Sequence, residues 1–193
     1  MKTLRMITAG LIVLSTSMVA LVAAPGRSTD DRDRDTRISA RLIGYDEVPS
    51  VSTPASGRFR ATIAHDGSSI DYTLSFDGIA TTVNQSHIHF AQKSVNGVIV
   101  VWLCQGATRA PAAVAAITPE CPTSPGGTVS GTITAASVLA QAAGSAGAAQ
   151  QIQQNELDEV IAAIRAGRAY ANVHSSVSPG GEIRGQIKVD DER

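Results

Sequence analysis

The feature that most constrains this chain is a period of two. From about residue 38 onward, apolar and polar residues alternate in short runs interrupted by Gly, Pro, Asn and Asp, as in Ile70-Asp71-Tyr72-Thr73-Leu74-Ser75-Phe76. Side chains along a strand point to opposite faces in turn, so such a run buries one clean face only when extended. Eight segments qualify as strands: 38–43, 57–64, 70–76, 87–91, 98–103, 128–134, 169–174 and 182–189. Many short strands separated by turn signals imply an all-β fold, a Greek-key-like antiparallel β-sandwich of about eight strands. Asp66-Gly67 marks a hairpin turn between the second and third segments, which leaves His65 at a solvated tip.

An internal echo supports this architecture. Ser124-Pro125-Gly126-Gly127-Thr128-Val129-Ser130-Gly131-Thr132-Ile133 and Ser178-Pro179-Gly180-Gly181-Glu182-Ile183-Arg184-Gly185-Gln186-Ile187 share one pattern, a Pro-Gly turn releasing into a strand. The mid-strand glycine of each suggests close approach of another backbone or a bulge. Helix is scarce. The Ala-, Gln- and Gly-rich stretch 135–154 is at best partly helical. Residues 156–166 read as one short amphipathic helix: Asn155 can cap it, Gly167 can end it, and Leu157, Val160, Ile161 and Ile164 share a face.

The N-terminus has the layout of a secretory signal, with Lys2 and Arg5 ahead of an apolar run from Met6 to Val22 and then small residues, which assigns 1–26 to a signal peptide. An uncleaved membrane anchor is the competing reading. Residues 27–37 mix both charge signs without an apolar residue and read as a disordered linker. The folded domain should run from 38 to 189, with 190–193 as a polar tail. Export makes the chain secreted, periplasmic or envelope-associated, and the signal segment is its one expected membrane contact. In an oxidising compartment Cys104 and Cys121 should form a disulfide that stabilises the fold by ~3 kcal/mol. The net charge of −1 excludes an electrostatic footprint for nucleic acid.

His87 and His89 flank Ile88, and in a strand both imidazoles project to one face, a ready pair of donors for zinc or copper. A third comes from a hairpin. If His174 lies opposite Glu182, then Asn172 faces Arg184 and Tyr170 faces Gln186, while Ala171, Val173, Ile183, Gly185 and Ile187 form a wholly apolar face. The opposite, polar face admits three readings: a metal site of His87, His89, His174 and Glu182; a structural hydrogen-bond network including Tyr170, Asn172, Arg184 and Gln186; or a solvated exterior. Trp102 reads as core or sheet-end packing. There is no nucleophile elbow, phosphate loop or reactive-cysteine context, so no catalytic residue is assigned.

Taken together, "ARLIGYDEVPSVSTPASGRFRATI", "IDYTLSFDGI", "SHIHF", "NGVIVVWLC" and "IRAGRAYANVHSSVSPGGEIRGQI" resemble the chordin-type domain, CHRD, from Ile38 to about Val189. The resemblance implies an all-β extracellular domain, here in a short, exported, single-domain form of bacterial type. Growth-factor binding by animal chordin involves other modules and does not carry over, so the extracellular or envelope partner is unknown. The resemblance assigns the histidines no role. A looser similarity to copper/zinc superoxide dismutases rests on strand His-x-His pairs, and His65 is a poor fourth ligand for such a site. The leading expectation is a non-catalytic binding or structural module; the alternative is a copper- or zinc-binding protein with dismutase-like redox chemistry.

Overall fold

The computed structural model describes residues 35–141 and 146–190. The expected signal segment, most of the linker and the last three residues of the tail lie outside this range. Nine strands form: β1 Thr36–Ile43, β2 Ser56–Ile63, β3 Ile70–Asp77, β4 Val83–Phe90, β5 Val98–Gln105, β6 Gly127–Ile133, β7 Ala169–Ser175, β8 Ile183–Gln186 and β9 Lys188–Val189. A one-turn helix, α1, spans Ala112–Ala115, and α2 spans Leu157–Arg165.

The period-two pattern becomes the burial pattern. In β3, Ile70, Tyr72, Leu74 and Phe76 are buried while Asp71, Thr73 and Asp77 are exposed. Every strand pairing is antiparallel, in the order β5-β4-β7-β8-β1-β2-β3-β6, with β9 also on β1. The all-β expectation holds. The strands make one continuous sheet that curls into a nearly closed barrel. At the seam between β5 and β6, the Tyr72 hydroxyl of β3 donates to the Leu103 carbonyl of β5 at 2.5 Å. The path has a Greek-key character: the chain leaves β5 at one edge, adds β6 at the other, and returns through α2 to insert β7 between β4 and β8.

The expected hairpin register is present, with Tyr170 opposite Gln186, Ala171 opposite Gly185, Asn172 opposite Arg184 and Val173 opposite Ile183. Ala171, Val173, Ile183 and Ile187 enter the apolar core with Ile88, Leu103, Phe59 and Leu74. Gly185 is glycine because a Cβ would collide with the Arg41 carbonyl of β1. The equivalent Gly131 sits instead against the Tyr72 ring, whose hydroxyl lies 2.8 Å from where a Cβ would be.

Three local expectations shift. β1 starts at Thr36, and β4 starts at Val83 rather than at His87. The run Asn84-Gln85-Ser86 hides the start of β4 because its polar residues are satisfied by neighbours, as where Ser86 Oγ donates to the Asn172 carbonyl. Asn155 does not cap α2: it adopts a left-handed φ of 68°, and Glu156 takes the cap position without a side-chain cap bond. Gly167 ends α2 with φ 66°. Leu157, Val160, Ile161 and Ile164 join the core, with Ile161 beside the β2–β3 turn, so α2 closes one end of the barrel.

Candidate functional site: a roofed histidine cluster on β4 and β7

β4 is flanked on both sides, by β5 and β7. His87 lies opposite Asn172 and Trp102, and His89 opposite Tyr170 and Ile99. Register shifts against β5 fall between Ser86 and His87 and between Ile88 and His89. Both imidazoles remain on the sheet face away from the apolar core, with ring centroids 5.5 Å apart. Alternation along β7 brings Tyr170, Asn172 and His174 to that same face.

Three imidazoles converge there. One nitrogen from each of His87, His89 and His174 lies within 4.8 Å of the others. The Nδ1 of His87 is 3.2 Å from Nε2 of His174. Two nitrogens bound to one tetrahedral zinc at 2.0–2.1 Å would be about 3.4 Å apart, so this separation suits shared ligation. The tautomers follow from their acceptors. Nδ1 of His89 is 2.9 Å from the Gly97 carbonyl and Nδ1 of His174 is 2.9 Å from the Pro179 carbonyl. A carbonyl accepts only from N–H, so both rings carry the proton on Nδ1 and turn an Nε2 lone pair toward the cluster, the usual outer-shell orientation of a ligating histidine.

The rings are 0%, 7% and 5% exposed for His87, His89 and His174, which makes protonation costly. Burial, reinforced by His174 and His89, holds His87 well below the ordinary imidazole range. Burial pushes His89 down to about 4. His174 is lowered by burial too, against the opposing bond to Pro179. All three are therefore neutral at pH 7, the form that ligates metals.

The polar face is neither solvated nor covered by α2. Residues 44–55 and 91–97 roof it, fastened by one guanidinium. Arg184 donates from Nε to Glu47 Oε2 at 2.9 Å, from Nη1 to the Val95 carbonyl at 3.2 Å and from Nη2 to Asn96 Oδ1 at 2.7 Å. Glu47 and Arg184 are both buried. Burial raises the Glu47 carboxyl, against the attraction of Arg184. Gly181, at φ 126°, leaves room for this carboxylate, since a Cβ there would come within 2.5 Å of Glu47 Oε1. The Arg184 guanidinium carbon also lies 4.1 Å from the Tyr170 ring centroid, and Tyr170 stacks on His89 at 4.7 Å with 3° between planes.

The remaining sequence candidates divide clearly. Glu182 is buried but stands outside the three-histidine set, its Oε1 accepting from the Thr53 hydroxyl at 2.8 Å. Asn172 lies opposite His87 in register and is buried. Gln186 donates to the carbonyls of Ala91 and Gly167 and ties strand to loops. Cys104 and Cys121 form the disulfide, with Cα atoms 4.9 Å apart. His65, in the β2–β3 turn, is exposed and outside the cluster.

Sequence reasoning passed over Glu47, Asn96 and the contact of Trp102. Trp102 is half-buried and meets His87 edge to face, with centroids 4.3 Å apart. One signal was available for Glu47: an arginine in a strand whose neighbours are buried needs an anion. Five buried side-chain atoms in this region have no protein hydrogen-bond partner among the described residues: Glu47 Oε1, His87 Nε2, His89 Nε2, Asn172 Oδ1 and Glu182 Oε2. A self-sufficient network would not leave so many unmet, since each costs its desolvation penalty.

No curated protein and no solved structure matches the chain significantly. The family model of the CHRD domain matches residues 38–187, which takes in both strands that carry the cluster and leaves out only the first two residues of β1 and all of β9 among the strands. The chain therefore belongs to the CHRD-domain family.

Proposed function

We propose that this CHRD-domain protein is an exported, non-catalytic binding module that holds one transition-metal ion, copper or zinc, on His87, His89 and His174. The observation that carries the reading is the convergence of one nitrogen from each ring within 4.8 Å, with His174 Nε2 3.2 Å from His87 Nδ1 and the Nδ1 atoms of His89 and His174 held by carbonyls. The unpartnered Nε2 of His89 points the same way, because a buried acceptor without a donor is costly and a metal ion satisfies it. CHRD is not a known enzyme family, and the roof over the histidines favours retention over turnover. Export is supported by the signal layout and by a disulfide, which suits an oxidising compartment.

The test is elemental analysis of the purified protein beside His89→Ala and His174→Ala. About one equivalent of copper or zinc in the parent and a loss in both variants is the expected result. Equal, near-zero metal in all three proteins would remove the proposal. Trp102, the chain's one tryptophan, gives an optical check, since copper on the adjacent His87 should quench its fluorescence.

A further inference from the structure

Resting on that reading of the three histidines, we infer that the site takes copper in its monovalent state, Cu(I), in preference to zinc(II). Ligand number is the first reason. Among the described residues the convergent group holds three imidazoles and no carboxylate or thiolate. Zinc almost always takes four ligands in structural sites, or three plus water in open catalytic ones. Monovalent copper is satisfied by three neutral nitrogens, and a site this buried and roofed does not readily supply water as the fourth ligand.

Charge is the second reason. Neutral imidazoles offset none of an incoming ion's charge, and a buried guanidinium lies one ring away from the cluster. Arg184 lies 4.1 Å from the Tyr170 ring, which stacks directly on His89. Each surrounding acid has one oxygen engaged, Glu47 with the Arg184 guanidinium and Glu182 with the Thr53 hydroxyl, and neither belongs to the convergent group. Coulomb repulsion scales with ion charge, so a dication suffers twice the penalty of a monocation.

The experiment titrates the full chain with Cu(I) under anaerobic ascorbate against bicinchoninate, and with zinc(II) against a chelating dye. Cu(I) should bind tighter by about a hundredfold. Arg184→Gln and Arg184→Lys both disrupt the guanidinium fork to Glu47 and Asn96, and only the glutamine removes the charge. The gap should narrow by about tenfold in Arg184→Gln and persist in Arg184→Lys. Zinc held as tightly as Cu(I) by the parent overturns the monovalent preference and leaves the metal site standing, and equal gaps in the two variants overturn the part assigned to the Arg184 charge. Failure of the parent to bind either ion overturns the underlying reading as well. The parent ratio decides by itself where a variant does not fold.

Discussion

A histidine that is neutral in the fold and free to protonate once unfolded makes stability depend on pH. His87, His89 and His174 all have imidazoles lowered chiefly by burial, His89 to about 4. Above the unfolded value near 6.5 both states are neutral and the three contribute no slope. Below it the unfolded chain takes up protons that the native state refuses, so stability falls as pH drops toward the folded values. His89 alone accounts for roughly 2 kcal/mol lost by pH 5. Glu47, whose carboxyl is raised, works in the opposite sense and offsets part of this. Urea unfolding of metal-free protein at pH 7.5 and pH 5 should show the loss, reduced in His89→Gln; a flat profile would contradict the burial argument. At this scale the sequence was a fair guide to which residues share a face. It was silent on tautomers, because Gly97 and Pro179 offer their carbonyls only after the loops have folded back.

Elements divide into those that alternation reveals and those that tertiary contact rescues. Period two exposes β3 and β7 because one face of each meets an apolar core. The first half of β4 escapes that logic: its polar side chains find partners on β7 and in the loop that follows it, as Ser86 and Asn84 do, so the run carries no apolar signal. The roof is equally invisible to periodicity. Asn96 joins its two segments, donating from Nδ2 to the Val48 carbonyl at 3.2 Å and accepting from Arg184. Replacing Asn96 with Ala removes one bond to a charged group and should cost about 1.5–3 kcal/mol. Hydrogen exchange should quicken in residues 44–51 and 92–97 while the β2–β3 hairpin exchanges as in the parent. Uniform quickening over the whole sheet would show that the roof is not a separate unit.

For the whole molecule, the open ends of the curled sheet are the vulnerable points, since an edge strand leaves backbone groups unpaired. β5 is one such edge, and the disulfide covers it: Cys121 donates its backbone N–H to the Gln105 carbonyl while its sulfur is bonded to Cys104. Tyr72 bridges the same seam from β3. The double variant Cys104→Ser/Cys121→Ser should lose about 3 kcal/mol of unfolding free energy, the value expected for a loop of this length. Denaturant midpoints of the oxidised parent and the variant measure it directly, and unchanged midpoints would mean that Tyr72 and the core close the barrel unaided.

The sequence by itself determined the all-β class, the β7–β8 register and the common face of His87 and His89, because each follows from a local period or from a short hairpin whose misregister would put charge among the apolar residues of the core. It also implied the Cys104–Cys121 bond from an even cysteine count and an expected oxidising compartment. Tertiary structure alone decided that His174 meets His87, 87 positions away, and that Glu47 and Asn96 roof them. Those contacts depend on β7 being inserted between β4 and β8 and on loops folding over the polar face. Strand order arises from packing the sheet as a whole, and a two-residue period repeats identically whichever strands lie side by side.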